Sequence, residues 1–217
     1  DLYFEPTLTK AGDTQFLSMK FKVSETQYLA FNYTLNANDY MVEFSIESKG
    51  LSTVFDSRQP AEFQWNLRAL RQDQSVSFEN RYTRLNYLHE GDKLNKLSQG
   101  GDDLELIEDI SWISYRQHFF SSILVPDSPL KTAEVSSYDL VEDETIDTVF
   151  TKLYTTKFPL ALNSGELNEQ MNFYFGPTYA ETLKKYNLDL ERSIPFGWGI
   201  FGWINKSIFS PLYAWLS

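Results

Sequence analysis

The side chains of this chain that could do chemistry are two histidines, a dense run of carboxylates and a tryptophan-rich terminus. His89 and His118 stand 29 residues apart, in the contexts HEGD and RQHFF. A metal or acid–base role requires convergent partners, and neither context has the spacing of a metal-ligand set. His89 is therefore expected to be a turn residue and His118 a sheet residue. The run from Gly101-Asp102-Asp103 to Glu108-Asp109 is rich in oxygen ligands but lacks the periodicity of a calcium loop, so it reads as a solvated loop. With no cysteine, disulfides, thiolate metal centres and cysteine nucleophiles are excluded. Gly-rich phosphate loops, a GxSxG elbow and nucleotide fingerprints are absent, and no acid stands in a recognisable glycosidase motif. The sequence assigns no catalytic, metal or cofactor-binding residue and does not indicate an enzyme.

The terminus is different in kind. Residues 196–217 contain one charge, Lys206, and three of the five tryptophans, Trp198, Trp203 and Trp215. All thirty Asp and Glu residues lie at or before Glu191, so a body of formal charge −12 hands over to an apolar tail of charge +1. At about 100° per residue, Ile200, Ile204, Trp215, Ile208, Phe201, Leu212, Trp198, Leu216 and Phe209 fill an arc of roughly 180°. Trp203 falls on the polar side and Asn205 on the apolar one. A membrane span needs about 20 apolar residues, which the tail nearly supplies. Asn205 and Lys206 near its middle, tryptophans spread along its length and Pro211 instead favour a helix lying in the interface. Trp198, Phe201, Trp203, Ile204, Ile208, Phe209, Leu212 and Trp215 are the residues expected to enter the membrane surface. The plain alternative is a terminal helix packed on the protein's own sheet.

The elements upstream must position whatever the chain does. A length of 217 residues, 42% apolar and 16% aromatic, supports a folded core. The net charge of −11 and scattered Lys and Arg argue against a nucleic-acid partner. The chain begins at Asp1 with nothing resembling a signal peptide, which suggests a processed or excised piece.

Alternation predicts the strands. Leu17, Met19, Phe21 and Val23 face one side of the run from Gln15 to Val23, and the pattern returns at Leu29–Leu35 and Val42–Ile46 as an antiparallel meander. Phe63, Trp65 and Leu67 mark another strand after Pro60, and Arg81–Leu88 a further one before the turn His89-Glu90-Gly91-Asp92. Ile110–Val125 is too long for one strand, so a bend or two strands closing at Pro126 are expected. Lys131–Tyr138, Ile146–Thr155 and Glu166–Phe175 complete about nine or ten strands with no interleaved helix. That pattern predicts a mainly β antiparallel sandwich over residues 1–177. A short helix and connector at 178–195 then lead to the amphipathic segment at 196–217.

The segment MNFYFGPTYAETLKKYNLDLERSIPFGWGIFGWINKSIFSPLYAWL carries a resemblance to a known family. Its strand ending in Tyr174-Phe175-Gly176-Pro177, the helix beginning at Tyr179, the Leu188-Asp189-Leu190 step and the Gly197-Trp198-Gly199-Ile200-Phe201 run resemble YidC-type bacterial membrane protein insertases. Upstream, Trp112–Phe120 resembles the family's Trp-containing strand, and Phe201–Asn205 looks most like the Bacteroidetes branch. The resemblance implies a large periplasmic domain, a supersandwich of the galactose mutarotase-like kind, at the periplasmic face of the inner membrane. It implies a tail that precedes the second transmembrane segment. It also implies partners reached through the full-length protein: the membrane surface, nascent membrane proteins and Sec translocon components. Family members carry a transmembrane helix and further strands upstream and a five-helix membrane core downstream. Insertion activity is thus implied for the longer protein, this piece being an interaction and positioning module. Missing upstream strands would leave edges to be capped by local rearrangement or by a second copy.

Two rivals use the same fold. A carbohydrate-binding β-sandwich would need exposed aromatics such as Trp65 or Trp112, yet both sit in alternating patterns that predict burial. A mutarotase-like enzyme would need an acid and a base facing one cleft, and the two histidines have no motif to bring them there.

Overall fold

The alternating apolar runs build one continuous antiparallel sheet. A computed structural model describes residues 3–55 and 61–195, and thirteen strands join the sheet among them. The first meander is β1 (Glu5–Ala11), β2 (Thr14–Ser24), β3 (Gln27–Asn36) and β4 (Met41–Lys49). Its turns use left-handed residues where the chain must reverse, Gly12 at φ 62° and Asn38 at φ 61°. β5 (Glu62–Leu70) follows, then a helical turn α1 (Val76–Glu79) and the hairpin β6 (Arg84–His89)–β7 (Lys93–Lys96). The remainder of the sheet is β8 (Asp103–Arg116), β9 (Phe120–Pro126), β10 (Leu130–Asp139), β11 (Phe150–Pro159), β12 (Leu162–Asn163) and β13 (Glu166–Pro177).

The main path through the sheet runs β1-β2-β3-β4-β13-β9-β8-β10-β11-β5. Side-chain contacts show that this path folds back on itself. Phe63 of β5 lies 6.2 Å from Phe44 of β4 and 6.4 Å from Phe173 of β13, and Trp65 stacks on Tyr115 of β8 at 3.9 Å and 13°. Strands far apart along the path therefore face each other, and the predicted sandwich is the observed architecture. The corner is the long β8 hairpin. Residues 113–116 of β8 pair with β9 and residues 103–110 with β10, so the strand serves one layer and then the other. Asp109, at φ 51°, and the break Pro126-Asp127-Ser128-Pro129 between β9 and β10 supply the bend. Trp112, Ile113 and Tyr115, at 1% exposure or less, fill the interior beside this corner.

Several expectations need correction. A helix was expected only near the end, but α1 stands between β5 and β6. Ser75 caps it by accepting from the Phe78 N–H at 3.3 Å, and the buried Glu79 carboxylate takes the N–H groups of Gln72 and Asp73. β6 consequently begins at Arg84, three residues later than read. The acidic run is no loop; from Asp103 onward it is the first half of β8, where Ile107 is buried and Glu105 accepts from the Tyr87 hydroxyl. The strand read from Ile146 begins only at Phe150. Asp143 binds Thr145 through its N–H and hydroxyl, and Asp147 takes the N–H groups of Glu142 and Asp143, so side chains hold this stretch as a loop. β1 was not foreseen, because EPTLTKA is exposed throughout and has no alternation to read. Ile110–Val125 does divide into two strands, turning at residues 117–119.

The chain divides into two compact units, Asp1–Pro177 and Thr178–Ser217. In the second, α2 (Ala180–Lys184) buries Ala180 and Leu183, and Asp189 at φ 57° leads into a 3-10 turn, Leu190–Ser193. No helix among the described residues is long and apolar enough to cross a membrane. The tail residues expected at the membrane surface, Trp198, Phe201, Trp203, Ile204, Ile208, Phe209, Leu212 and Trp215, lie outside the described residues.

Candidate functional site

Among the described residues the two layers differ in width, and part of the inner face of the larger one is uncovered. β5 ends the smaller layer over β4 and β13, and the larger layer continues outward to β3, β2 and β1. The result is a trough of about 570 Å³. Its floor is the inward-facing set of two strands, Leu29, Phe31 and Tyr33 on β3 and Val42, Phe44 and Ile46 on β4. Phe63 and Trp65 of β5 form one wall with Phe173 and Phe175 of β13, and Phe55, Leu160 and Leu167 close one end. Phe4, just ahead of β1, stacks on Phe31 at 5.2 Å.

The trough is held open by polar groups outside it. Glu166, at the start of β13, accepts from the Ser48 hydroxyl and from the N–H groups of Leu51 and Ser52 at 2.9 and 3.1 Å. This pins the loop that carries Phe55. The Ser48 hydroxyl oxygen in turn accepts from the Leu167 N–H at 2.8 Å. Gly165 completes the clamp at φ 82°, and a β-carbon there would stand 2.8 Å from the Ser52 Cβ. Only glycine meets both conditions.

The chemistry on offer is apolar contact. Among the lining residues only Glu62 and Gln64, at the rim, are charged or amide-bearing. Burial pushes the Tyr33 phenol up, so it stays neutral at ordinary pH. Nothing in the floor would titrate across the physiological range, and an apolar guest would bind with little pH dependence. Each aliphatic or aromatic side chain transferred fully from water into such a site contributes about 1.5–3 kcal/mol.

The edge of β5 beside the trough has a defined hydrogen-bonding register. Glu62 lies opposite Pro159, which has no N–H to give, and the Leu160 N–H donates to the Ala61 carbonyl at 2.7 Å. The pairs that exchange hydrogen bonds are therefore the odd-numbered β5 residues, Phe63–Phe158, Trp65–Thr156 and Leu67–Tyr154. Glu62, Gln64, Asn66 and Arg68 turn their backbone N–H and C=O groups the other way. Among the described residues β5 pairs with β11 alone.

The histidines exchange the places expected of them. His89 ends strand β6, with Nε2 3.0 Å from Asn95 Nδ2. His118 sits in the turn between β8 and β9, its Nδ1 2.9 Å from Asp73 Oδ2 and its ring stacked on Tyr82 at 4.4 Å and Phe119 at 4.2 Å. A histidine–carboxylate pair is half of an acid–base constellation. Here both ring faces are covered by aromatics, so the pair anchors the turn. Among the described residues no group of three or more His, Asp or Glu could hold a metal ion. Trp112 is buried and offers no face to a sugar, while one face of Trp65 is covered by Tyr115.

Comparison with known proteins bears on the same residues. The family model described as the YidC periplasmic domain matches residues 2–211. A protein named membrane protein insertase YidC from Parabacteroides distasonis is 32% identical over the whole chain, which covers 35% of it. Those of Azobacteroides pseudotrichonymphae and Phocaeicola vulgatus are 30% and 31% identical, again over the whole chain and 36% of each relative. The chain thus spans about a third of the length of the curated relatives it matches. Among solved structures, heparinase III is similar at a TM-score of 0.33 and 6% identity over 79% of this chain and 21% of that one, too distant to carry an argument.

Proposed function

This chain belongs to the YidC periplasmic domain family, and on that premise we propose that it is the interaction and positioning module of a membrane protein insertase at the periplasmic face of the bacterial inner membrane. The full-length protein would insert and help fold inner-membrane proteins, alone or with the Sec translocon. This module would hold partners or emerging segments near the membrane, without chemistry of its own. The observation that carries the reading is the apolar trough, since an open apolar site of this size beside a folded core is the usual form of a docking surface. Photo-crosslinking tests it. Benzoylphenylalanine in place of Phe63 in the full-length insertase is expected to form adducts with an inner-membrane protein during its synthesis. Failure to do so, while the same probe in the membrane core does, would remove the docking role.

Positioning is assigned to the tail. Trp198, Phe201, Trp203, Ile204, Ile208, Phe209, Leu212 and Trp215 would lie in the headgroup region, a placement supported by the drop in charge after Glu191 and the wide apolar arc. The purified chain is expected to float with liposomes and a version ending at Ser193 to stay at the bottom of the gradient. Equal behaviour of the two would end the membrane-surface assignment.

A further inference from the structure

We propose that three loops of the β domain form a single latch, pinned by Arg71 and Asp73, which couples the acidic loop 142–149 to the place where the chain leaves the sheet at Pro177. The latch is independent of the trough and of what docks there.

Arg71 directly follows β5, and its guanidinium is held by backbone carbonyls from two loops remote from each other in sequence. Nε donates to the Asp73 carbonyl at 3.0 Å and Nη2 to that of Gln74, while Nη1 donates to the carbonyls of Glu144 and Asp147 at 2.8 and 3.3 Å. The Arg71 N–H adds a bond to the Val149 carbonyl at 2.9 Å. A planar fork of five donors can reach both loops at once.

Asp73 carries the tie onward to a third loop, because its Oδ2 lies 2.9 Å from His118 Nδ1 in the turn between β8 and β9. Tyr82 and Phe78, from the same stretch as Asp73, meet the His118 ring at 4.4 and 5.8 Å. The buried Glu79 carboxylate fixes Asp73 in turn, taking the N–H groups of Gln72 and Asp73 at 3.0 and 3.3 Å. At the far end the Gln117 N–H closes its turn on the Phe120 carbonyl at 2.8 Å, and Phe120 pairs with Pro177, the last residue of β13. A continuous path of hydrogen bonds and ring contacts thus runs from loop 142–149 to the end of the sheet.

The two ends of that path differ in how firmly they are held. Loop 142–149 buries no residue, Ile146 being 74% exposed, and it keeps its shape through the carboxylates of Asp143 and Asp147. A segment with so little apolar contact opens at low free energy, whereas β13 is paired on both sides. Arg71 bound to both loops, or to one alone, gives the path the two arrangements that coupling requires.

Amide exchange by mass spectrometry on the full chain tests the latch. Asp147→Ala removes the loop's internal bonds to the Glu142 and Asp143 N–H groups and leaves the sheet untouched. It is expected to speed exchange at least fivefold within 142–149 and at least threefold at 72–82, 117–120 and 174–176, with β2–β4 unchanged. In a His118→Ala background the same substitution should still loosen 142–149 but add nothing at 117–120 or 174–176, since the tie through Asp73 is already cut. Arg71→Gln should speed exchange in all three loops at least tenfold. If that variant fails to fold, the Asp147 and His118 comparison decides alone. An effect of Asp147→Ala confined to 142–149, or one of equal size at 117–120 with and without His118, overturns the latch.

Discussion

Replacing Asp139 by alanine is expected to lower the unfolding free energy by about 3 kcal/mol, with a fall in Tm of roughly 6–12 °C. Lys152, on β11, is buried completely, and its ammonium pairs with the Asp139 carboxylate directly across the β10–β11 ladder. The pair itself gains little over a well-packed apolar couple, because taking both charges out of water costs nearly what their attraction returns. Removing one partner is another matter, since it leaves an ammonium in the interior without its counter-charge. Asp139 is 30% exposed at its side chain, which places the effect at the lower end of the range for buried pairs. The carboxylate also accepts from the Gly101 N–H at 2.8 Å, while Asp102 takes the Asp139 N–H at 3.0 Å, so the turn before β8 loosens too. Lys152→Met is the informative partner. It should cost much less, and equal losses for the two variants in urea titrations would show that the buried charge is not the reason.

Phe44→Ala is expected to cost about 3–5 kcal/mol. The Phe44 ring is buried beneath the trough and touches four others, Tyr33 at 4.9 Å, Phe173 at 5.7 Å, Phe31 at 6.1 Å and Phe63 at 6.2 Å. It thus contacts both neighbouring strands and the opposite layer. Truncation joins the vacated space to the trough, so part of the cost will appear as a deeper apolar site. Denaturant titration measures the loss, and stronger binding of a small aromatic such as benzene by the variant reads the added volume. A loss under 1 kcal/mol would mean that the layers close over the gap and that Phe44 is no keystone.

How much of this was legible beforehand follows from where the signal lies. β2, β3, β4, β5, β10 and β13 are half-covered strands, and a half-covered strand writes its burial into the sequence as alternation. β1 is exposed on both faces and β12 has two residues, so neither leaves such a trace. The first half of β8 was misread because Leu104 and Leu106 point outward while Glu105 points in to meet Tyr87, the reverse of the usual rule. The trough escaped for a different reason. Its lining spans Leu29 to Phe175, and its existence depends on one layer being wider than the other, a relation between strands that no local pattern encodes. Trp65 was read as buried and is half-buried, the only local hint that the covering layer stops there. The histidine contexts were uninformative because a turn between two strands and the end of a strand differ by a residue or two.

The place of β13 in the sheet sets the order in which the protein can be completed. The last strand of the sheet in sequence lies at its centre, with β4 on one side and β9 on the other. A chain delivered N-terminus first would present the meander and the β8 hairpin as two separate halves, each with an open edge, until residues 166–177 arrive to join them. The pairing of Glu47 with Asn168 closes a loop of most of the chain, the slowest kind of contact to make. Residues 166–177 are thus needed twice over, to join the two halves and to supply Phe173 and Phe175 to the wall of the trough.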